Sequence, residues 1–205
     1  VDGRGTDLAR FTALGDRALR THQASFHLAR RPARIAAAAL TPPVVAAPSR
    51  FKRQVVSYPT NEAPGTIVVD TPNTYLYLVL GNGQAMRYGI GVGRDGFTWA
   101  GTKTVEKKAE WPDWRPPQEM LERQPYLPRF MAGGPENPLG ARAMYLSGSV
   151  YRIHGTNAPS TIGQRVSSGC FRLKNEDVID LYNRVKVGAK VVVLPMSGSR
   201  TKGST

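Results

Sequence analysis

The chain contains a single cysteine, Cys170, and only three histidines, His22, His27 and His154. One thiol excludes an intrachain disulfide framework and any zinc site built from several cysteines. Two of the histidines fall within the first 27 residues, so the body of the chain has no histidine-rich metal centre. No stretch approaches ~20 uninterrupted apolar residues, which excludes a standard helical multi-span membrane protein. Runs of Lys and Arg interleaved with aromatics, the mark of many nucleic-acid binders, are also missing from the body. Positive charge, by contrast, is plentiful, with a formal net charge of +13. Residues 1–65 hold 10 Lys and Arg against 4 Asp and Glu, and residues 66–205 hold 18 against 11. Such a surface attracts any polyanion, whether nucleic acid, anionic lipid or an acidic wall polymer, and charge alone does not choose among them. With 21 Gly and 16 Pro the composition favours turns and strands over a helix bundle, and 205 residues suffice for one core without covalent staples.

The N-terminal third differs from the rest. Arg30, Arg31 and Arg34 precede Ile35-Ala36-Ala37-Ala38-Ala39-Leu40, and after Thr41-Pro42-Pro43 come Val44-Val45-Ala46-Ala47-Pro48. Basic, then apolar, then small residues is the order of a secretory signal. The competing reading is a flexible linker, since Pro42 and Pro43 would break a helix there. From Pro48 to Pro64 the chain is rich in Pro, Ser, Lys and Arg with little periodicity, which predicts a linker.

Period-two patterning begins at Thr66. Thr66-Ile67-Val68-Val69-Asp70 and Thr74–Leu80 are β-branched and aromatic runs, and Asn82-Gly83 after them is a hairpin cue. A returning strand is expected over 84–92, with further strands over 102–110, 141–147, 150–154 and 189–194. One helix is expected, with Asn175 as N-cap, Glu176 and Asp177 in the first turn, Val178, Leu181, Tyr182 and Val185 on one face, and Gly188 as stop. The segment 111–138, dense in Pro, Trp and Gly, reads as a long irregular loop of the kind that walls a binding site. The fold class is therefore mainly β with one packed α-helix and a long Pro/Gly-rich loop.

Cys170 and His154 carry the chemistry this composition allows. Alternation places Val150, Arg152 and His154 on one strand face, where a histidine at the strand's end is poorly sited for core packing. Cys170 follows Ser167-Ser168-Gly169 and precedes Phe171-Arg172, a polar, turn-like setting. A glycine before the thiol lets the chain turn sharply and brings backbone N–H groups toward an incoming carbonyl. A thiol needs a base to react as thiolate, and an imidazole within hydrogen-bond reach supplies one. The bland alternative is a buried, inert cysteine in a basic binding module for nucleic acid or wall polymer.

His154-Gly155-Thr156 followed by Ser167-Ser168-Gly169-Cys170-Phe171-Arg172-Leu173 resembles the signature of the L,D-transpeptidase family, the YkuD-type catalytic domain. The segment Gly133-Gly134-Pro135-Glu136-Asn137-Pro138-Leu139-Gly140 is similar to the stretch before the catalytic strand in proteobacterial members. The resemblance implies a YkuD-type β-sandwich and an enzyme of peptidoglycan biosynthesis, located in the periplasm or cell envelope and active in cell-wall biogenesis and cell shape. It implies Cys170 as nucleophile, His154 as base, Gly155 as the residue whose carbonyl orients that base, and the backbone N–H groups of Ser168, Gly169 and Cys170 as an oxyanion hole. Arg172 and Arg152 are candidate ligands for the carboxylates of a stem peptide, unless Arg172 merely pairs with Glu176 or Asp177. The expected donor is a peptidoglycan tetrapeptide stem. The acceptor is an amine on another stem or on a wall-attached protein, or water if the enzyme is an L,D-carboxypeptidase or exchange enzyme. No cofactor or metal is expected, because thiol and imidazole cover the acid and base roles. On this reading residues 1–47 are a basic segment with an export signal, 48–65 a linker, 66–196 the catalytic domain and 197–205 a flexible tail.

Overall fold

In the computed structural model, which describes residues 48–196, Asn82 and Gly83 both take positive φ, 52° and 67°. That is the type I′ turn whose twist matches a two-strand ribbon. It joins β3 (Tyr75–Gly81) to β4 (Gln84–Gly89), and β2 (Ile67–Asp70) lies antiparallel on the other side of β3. The remaining strands are β1 (Gln54–Ser57), β5 (Val92–Gly93), β6 (Gly101–Glu110), β7 (Arg142–Leu146), β8 (Arg152–His154), β9 (Arg165–Ser167), β10 (Phe171–Arg172) and β11 (Lys190–Val193). Nine of them run in the order β1-β4-β3-β2-β11-β6-β7-β8-β10, and β5 and β9 form a separate parallel pair. The expected export signal over residues 30–47 and the tail 197–205 lie outside the described residues.

β6 joins the two halves of the sheet. Its first residues pair with β11 and those from Val105 onward with β7, with a register shift between Val105 and Lys107. A bulge bends a strand and raises its twist, so the sheet folds over a shared core. That core takes Ile67, Val69, Leu76, Leu78 and Tyr88 from one half, and Met144, Leu146, Ile153 and Phe171 from the other.

Helix α2 (Asn175–Arg184) packs on this core through Val178 and Leu181, both fully buried, with Val185 just beyond its last residue. Burying side chains of this size contributes roughly 1.5–3 kcal/mol each. Two contacts pin the helix from the sheet. Tyr88 Oη donates to Asp180 at 2.7 Å, and Lys108 Nζ donates to the Tyr182 and Val185 carbonyls at 2.6 and 2.7 Å. The N-cap position belongs to Lys174, with no side-chain cap bond, and not to Asn175. The Asn175 side chain is used elsewhere, as described below.

Three further expectations are corrected. The returning strand expected over 84–92 ends at Gly89, because the chain then leaves β3 and Gly91 exchanges backbone hydrogen bonds with Arg172, both 2.9 Å. The segment 111–138 contains a short helix, α1 (Gln118–Arg123), and closes on itself where Trp114 and Met131 exchange backbone bonds of 2.8 and 2.9 Å. The linker expected over 48–65 is part of the fold. Ser49–Phe51 form a 3₁₀ turn and β1 pairs antiparallel with β4. Phe51 is buried where a side chain on Gly89 or Gly163 would collide with it. Arg53 lies 3.7 Å from Asp177 and 3.4 Å from Asp180 on α2. An edge strand needs only backbone pairing on one side, so Gln54–Ser57 shows little apolar alternation in the sequence.

Phe51→Ala is therefore expected to cost about 3–5 kcal/mol, the usual penalty for emptying a buried phenylalanine site. Urea unfolding checks this, and an unchanged midpoint would mean that the segment is no more than a tether.

Candidate active site

Parallel pairing of β8 with β10 sets Phe171 opposite Ile153 and Arg172 opposite His154. Residues in register across a sheet share a face, and alternate residues share the opposite one. Phe171 and Ile153 point into the core, at 2% and 0% exposure. Arg152, His154 and Arg172 consequently face the other way, and Cys170, two positions before Arg172, is on their side. All four line one cavity of about 250 Å³, with Ser167 and Ser168 also in its wall. Val150, expected on the same face, is an exposed part of that wall.

His154 is buried, and its Nδ1 lies 2.7 Å from the Gly155 carbonyl. A carbonyl only accepts, so in the neutral ring Nδ1 carries the proton and Nε2 keeps the lone pair. Burial, reinforced by the positive charge of Arg172, lowers the ring from its ordinary 6.5 to about 3, against the opposing pull of the Gly155 carbonyl. The strand turn that supplies this carbonyl is braced by Asn175. Its Oδ1 accepts from the N–H of Ala141 at 2.9 Å and of Thr156 at 3.2 Å. A Cβ on Gly155 or on Gly140 would strike that oxygen, so both positions admit only glycine.

Cys170 is half-buried and faces Arg152, which presents both its backbone N–H and its guanidinium to the sulfur. Burial raises the thiol above its ordinary 9.0, and the charges of Arg152 and Arg172 only partly offset this. At rest the thiol and the imidazole that line this cavity are thus both neutral.

Gly169 sits at φ 105°, where a side chain is strained and would meet the Tyr151 ring. Its carbonyl accepts from Trp99 Nε1 at 3.0 Å, and Trp99 stacks on Tyr151 with ring centroids 4.9 Å apart. In a trans peptide C=O and N–H point oppositely, so the Cys170 N–H is turned away from Trp99. Of the three N–H groups expected to form an oxyanion hole, one already has an acceptor. The Gly169 N–H donates to Ser167 Oγ at 3.2 Å, and Ser167 Oγ donates in turn to the Cys170 carbonyl at 2.6 Å. Among the described residues no acceptor binds the N–H of Ser168 or Cys170. Spacing did not point to Trp99 or Asn175 as supports of this site, and only Trp99's place in a turn rich in Gly hinted at a packing role.

Arg172 does not pair with either acid expected of it. Glu176 lies 3.7 Å from Lys174, and Asp177 pairs with Arg53. Among the described residues, the Nε atoms of Arg172 and Arg152 are both buried with no hydrogen-bond partner. Besides the Cys170 sulfur, the Arg152 guanidinium meets its own Val150 carbonyl, 3.2 Å from Nη1, and the face of Tyr145. A buried guanidinium N–H without an acceptor is costly, and an anion entering the cavity would relieve both. Among the described residues no three His, Cys, Asp or Glu side chains converge as metal ligands do.

The wall opposite the strands comes from the 111–138 segment through Trp114, Met120 and Leu127. Asn137, 1% exposed, stiffens it. Its Nδ2 lies 3.0–3.1 Å from the carbonyls of Pro112, Met131 and Ala132, and its Oδ1 accepts from Leu139 N–H at 2.9 Å.

Alkylation of Cys170 by iodoacetamide should rise with pH past the ordinary 9.0 of a thiol, because burial disfavours the thiolate. Arg172→Gln should push the midpoint higher still by removing a favourable positive charge. A rate already level by about pH 7 would reveal a preformed thiolate–imidazolium pair instead.

The family model described as the L,D-transpeptidase catalytic domain, YkuD, matches residues 64–193. Among curated proteins, the "Probable L,D-transpeptidase ErfK/SrfK" of Escherichia coli (strain K12) is 39% identical over 137 residues, which is 62% of this chain and 43% of that protein. The chain thus spans less than half the length of this relative. The catalytic domain of the L,D-transpeptidase from E. faecium, 19% identical, covers 66% of this chain and 100% of its own at a TM-score of 0.51, a likeness of fold. A Brucella melitensis structure named as a probable carnitine operon oxidoreductase is 50% identical over 71% of this chain and 94% of its own. Its TM-score is 0.48, below the level at which it bears on the fold. With the family model spanning both halves of the sheet and the whole of the Cys170 cavity's strand wall, this chain belongs to the YkuD L,D-transpeptidase catalytic-domain family.

Proposed function

We propose that this chain is a cysteine-dependent L,D-transpeptidase acting on peptidoglycan tetrapeptide stems outside the cytoplasm, in the periplasm or cell envelope. The observation that carries the reading is the cavity itself, which a neutral thiol and imidazole share with two half-buried arginines that have no carboxylate in ion-pair range among the described residues. A stem peptide ending in D-Ala brings the missing carboxylate and an amide bond within reach of the sulfur.

In the proposed reaction Cys170 Sγ attacks the carbonyl between the third residue and the terminal D-Ala while His154 Nε2 takes the thiol proton. The N–H groups of Ser168 and Cys170 stabilise the oxyanion. The C–N bond then breaks, His154 returns its proton to the departing D-Ala amine, and a thioester remains on Cys170. An incoming amine, from a diaminopimelate side chain or a wall-attached protein, attacks the thioester and gives a proton to His154. Sulfur leaves, regaining that proton. Arg172, with Arg152, holds the donor carboxylate. Gly155 keeps the base in the required tautomer, and the stiff 111–138 wall limits water at the thioester.

Muropeptide mass spectrometry with and without an amine acceptor tests this. Cys170→Ala should abolish D-Ala release, and His154→Ala should slow it about 10²–10⁴-fold at neutral pH. With His154 held near 3, the ring stays a competent base in mild acid, so acylation should persist to about pH 4. A ring at the ordinary 6.5 would lose half its activity near pH 6.5. Excising α1 should raise hydrolysis relative to transfer. If the intact enzyme yields only tripeptide with abundant acceptor, it is an L,D-carboxypeptidase.

A further inference from the structure

The cavity holds a second pair of guanidiniums that the chemistry at Cys170 does not use. Arg94 follows β5, its backbone N–H fixed on the Ser167 carbonyl at 3.0 Å, three residues before the cysteine. The turn it opens presses on the nucleophile's own turn. A Cβ on Gly93 would lie 3.3 Å from Gly169 Cα, and one on Gly169 would lie 3.2 Å from the Phe97 carbonyl. Arg123 is the last residue of α1, in the 111–138 wall. Both guanidiniums settle on one ring, Arg94 at 4.4 Å and Arg123 at 5.0 Å from the Phe97 centroid.

Among the described residues neither cation has a carboxylate in ion-pair range. Nor is there any Asp or Glu in the cavity lining, which includes four arginines. Two like charges drawn to one aromatic ring from separate chain segments repel each other, and a shared anion removes that repulsion.

We propose that Arg94 and Arg123 form a second carboxylate subsite, so that the preferred acyl donor carries at least two free carboxylates. This deepens the transpeptidase reading and rests on it. One carboxylate is held by Arg152 and Arg172 beside Cys170. The other bridges Arg94 and Arg123 and ties α1 to the turn after β5. A stem containing glutamate and diaminopimelate has such groups besides its C-terminus, and amidation of the right one abolishes the bridge while sparing the scissile bond.

The experiment measures D-Ala release from three tetrapeptide donors, one with all carboxylates free and two amidated singly, at the glutamate or at the diaminopimelate side chain. Release of D-Ala reports acylation whether amine or water follows. For the unaltered enzyme, one of the two amidations should raise KM about ten-fold or more, the scale of a charge-assisted pair. Arg123→Gln and Arg94→Gln should each raise KM for the free donor to that of the amidated one and leave the amidated donor's KM in place. Indifference to both amidations, or variants that raise KM equally for all donors, overturns the subsite.

Calorimetry with Cys170→Ala and the corresponding tripeptides reads the same discrimination without turnover. If no donor releases D-Ala, the transpeptidase reading fails. The subsite is then judged by calorimetry, where equal affinity for free and amidated tripeptides overturns it.

Discussion

The parallel register of β8 against β10 is the constraint on which the site depends. It is only two residue pairs long, yet it fixes which side chains share a face. Ile153 and Phe171 enter the core, and that burial, worth several kcal/mol, holds the register. A slip of β10 by one residue would bury Arg172 in the core and expose Phe171, an exchange the hydrophobic effect forbids. Core packing on one side of these strands thereby specifies the chemistry on the other.

The same cavity shows how burial and charge work in opposite directions on two groups. Burial penalises the ionised form of each, lowering His154 and raising Cys170. The arginines deepen the first effect and weaken the second. The outcome is a pair that rests uncharged, the state from which the proposed attack by sulfur would start. With no Asp or Glu in its lining, the cavity carries positive charge that attracts anions. Its four arginines also give part of the basic excess in the composition a specific location.

Rigidity comes from a few polar side chains used in unusual places. Asn137 gathers the 111–138 segment with three carbonyls and an N–H, and Asn175 joins the Gly140 and Gly155 turns from the start of α2. Trp99 holds the Gly169 carbonyl so that the next N–H faces away from it. Each bond is worth about 1 kcal/mol net, but each also removes a freedom of the loop that presents His154 or Cys170. A cavity wall built this way stays in place without a substrate to order it.

By itself the sequence determined the strand runs with clear alternation, the amphipathic α2, and the pairing of a histidine motif with a Ser-Ser-Gly-Cys turn. These depend on local periodicity and on residue types at fixed spacing, which survive without coordinates. Edge strand β1 and the short β9 and β10 depended on distant partners and lacked a pattern of their own. Asn175 looked like a helix cap because its neighbours suit one, whereas tertiary contact with Ala141 and Thr156 claimed its side chain. The state of Arg172 was likewise undecidable in one dimension, since two acids lie a few residues downstream. Only the folded chain, by giving Asp177 to Arg53 and Glu176 to Lys174, left that guanidinium in the cavity without either acid. Charge pairing is settled by distance in space, and sequence separation does not encode it.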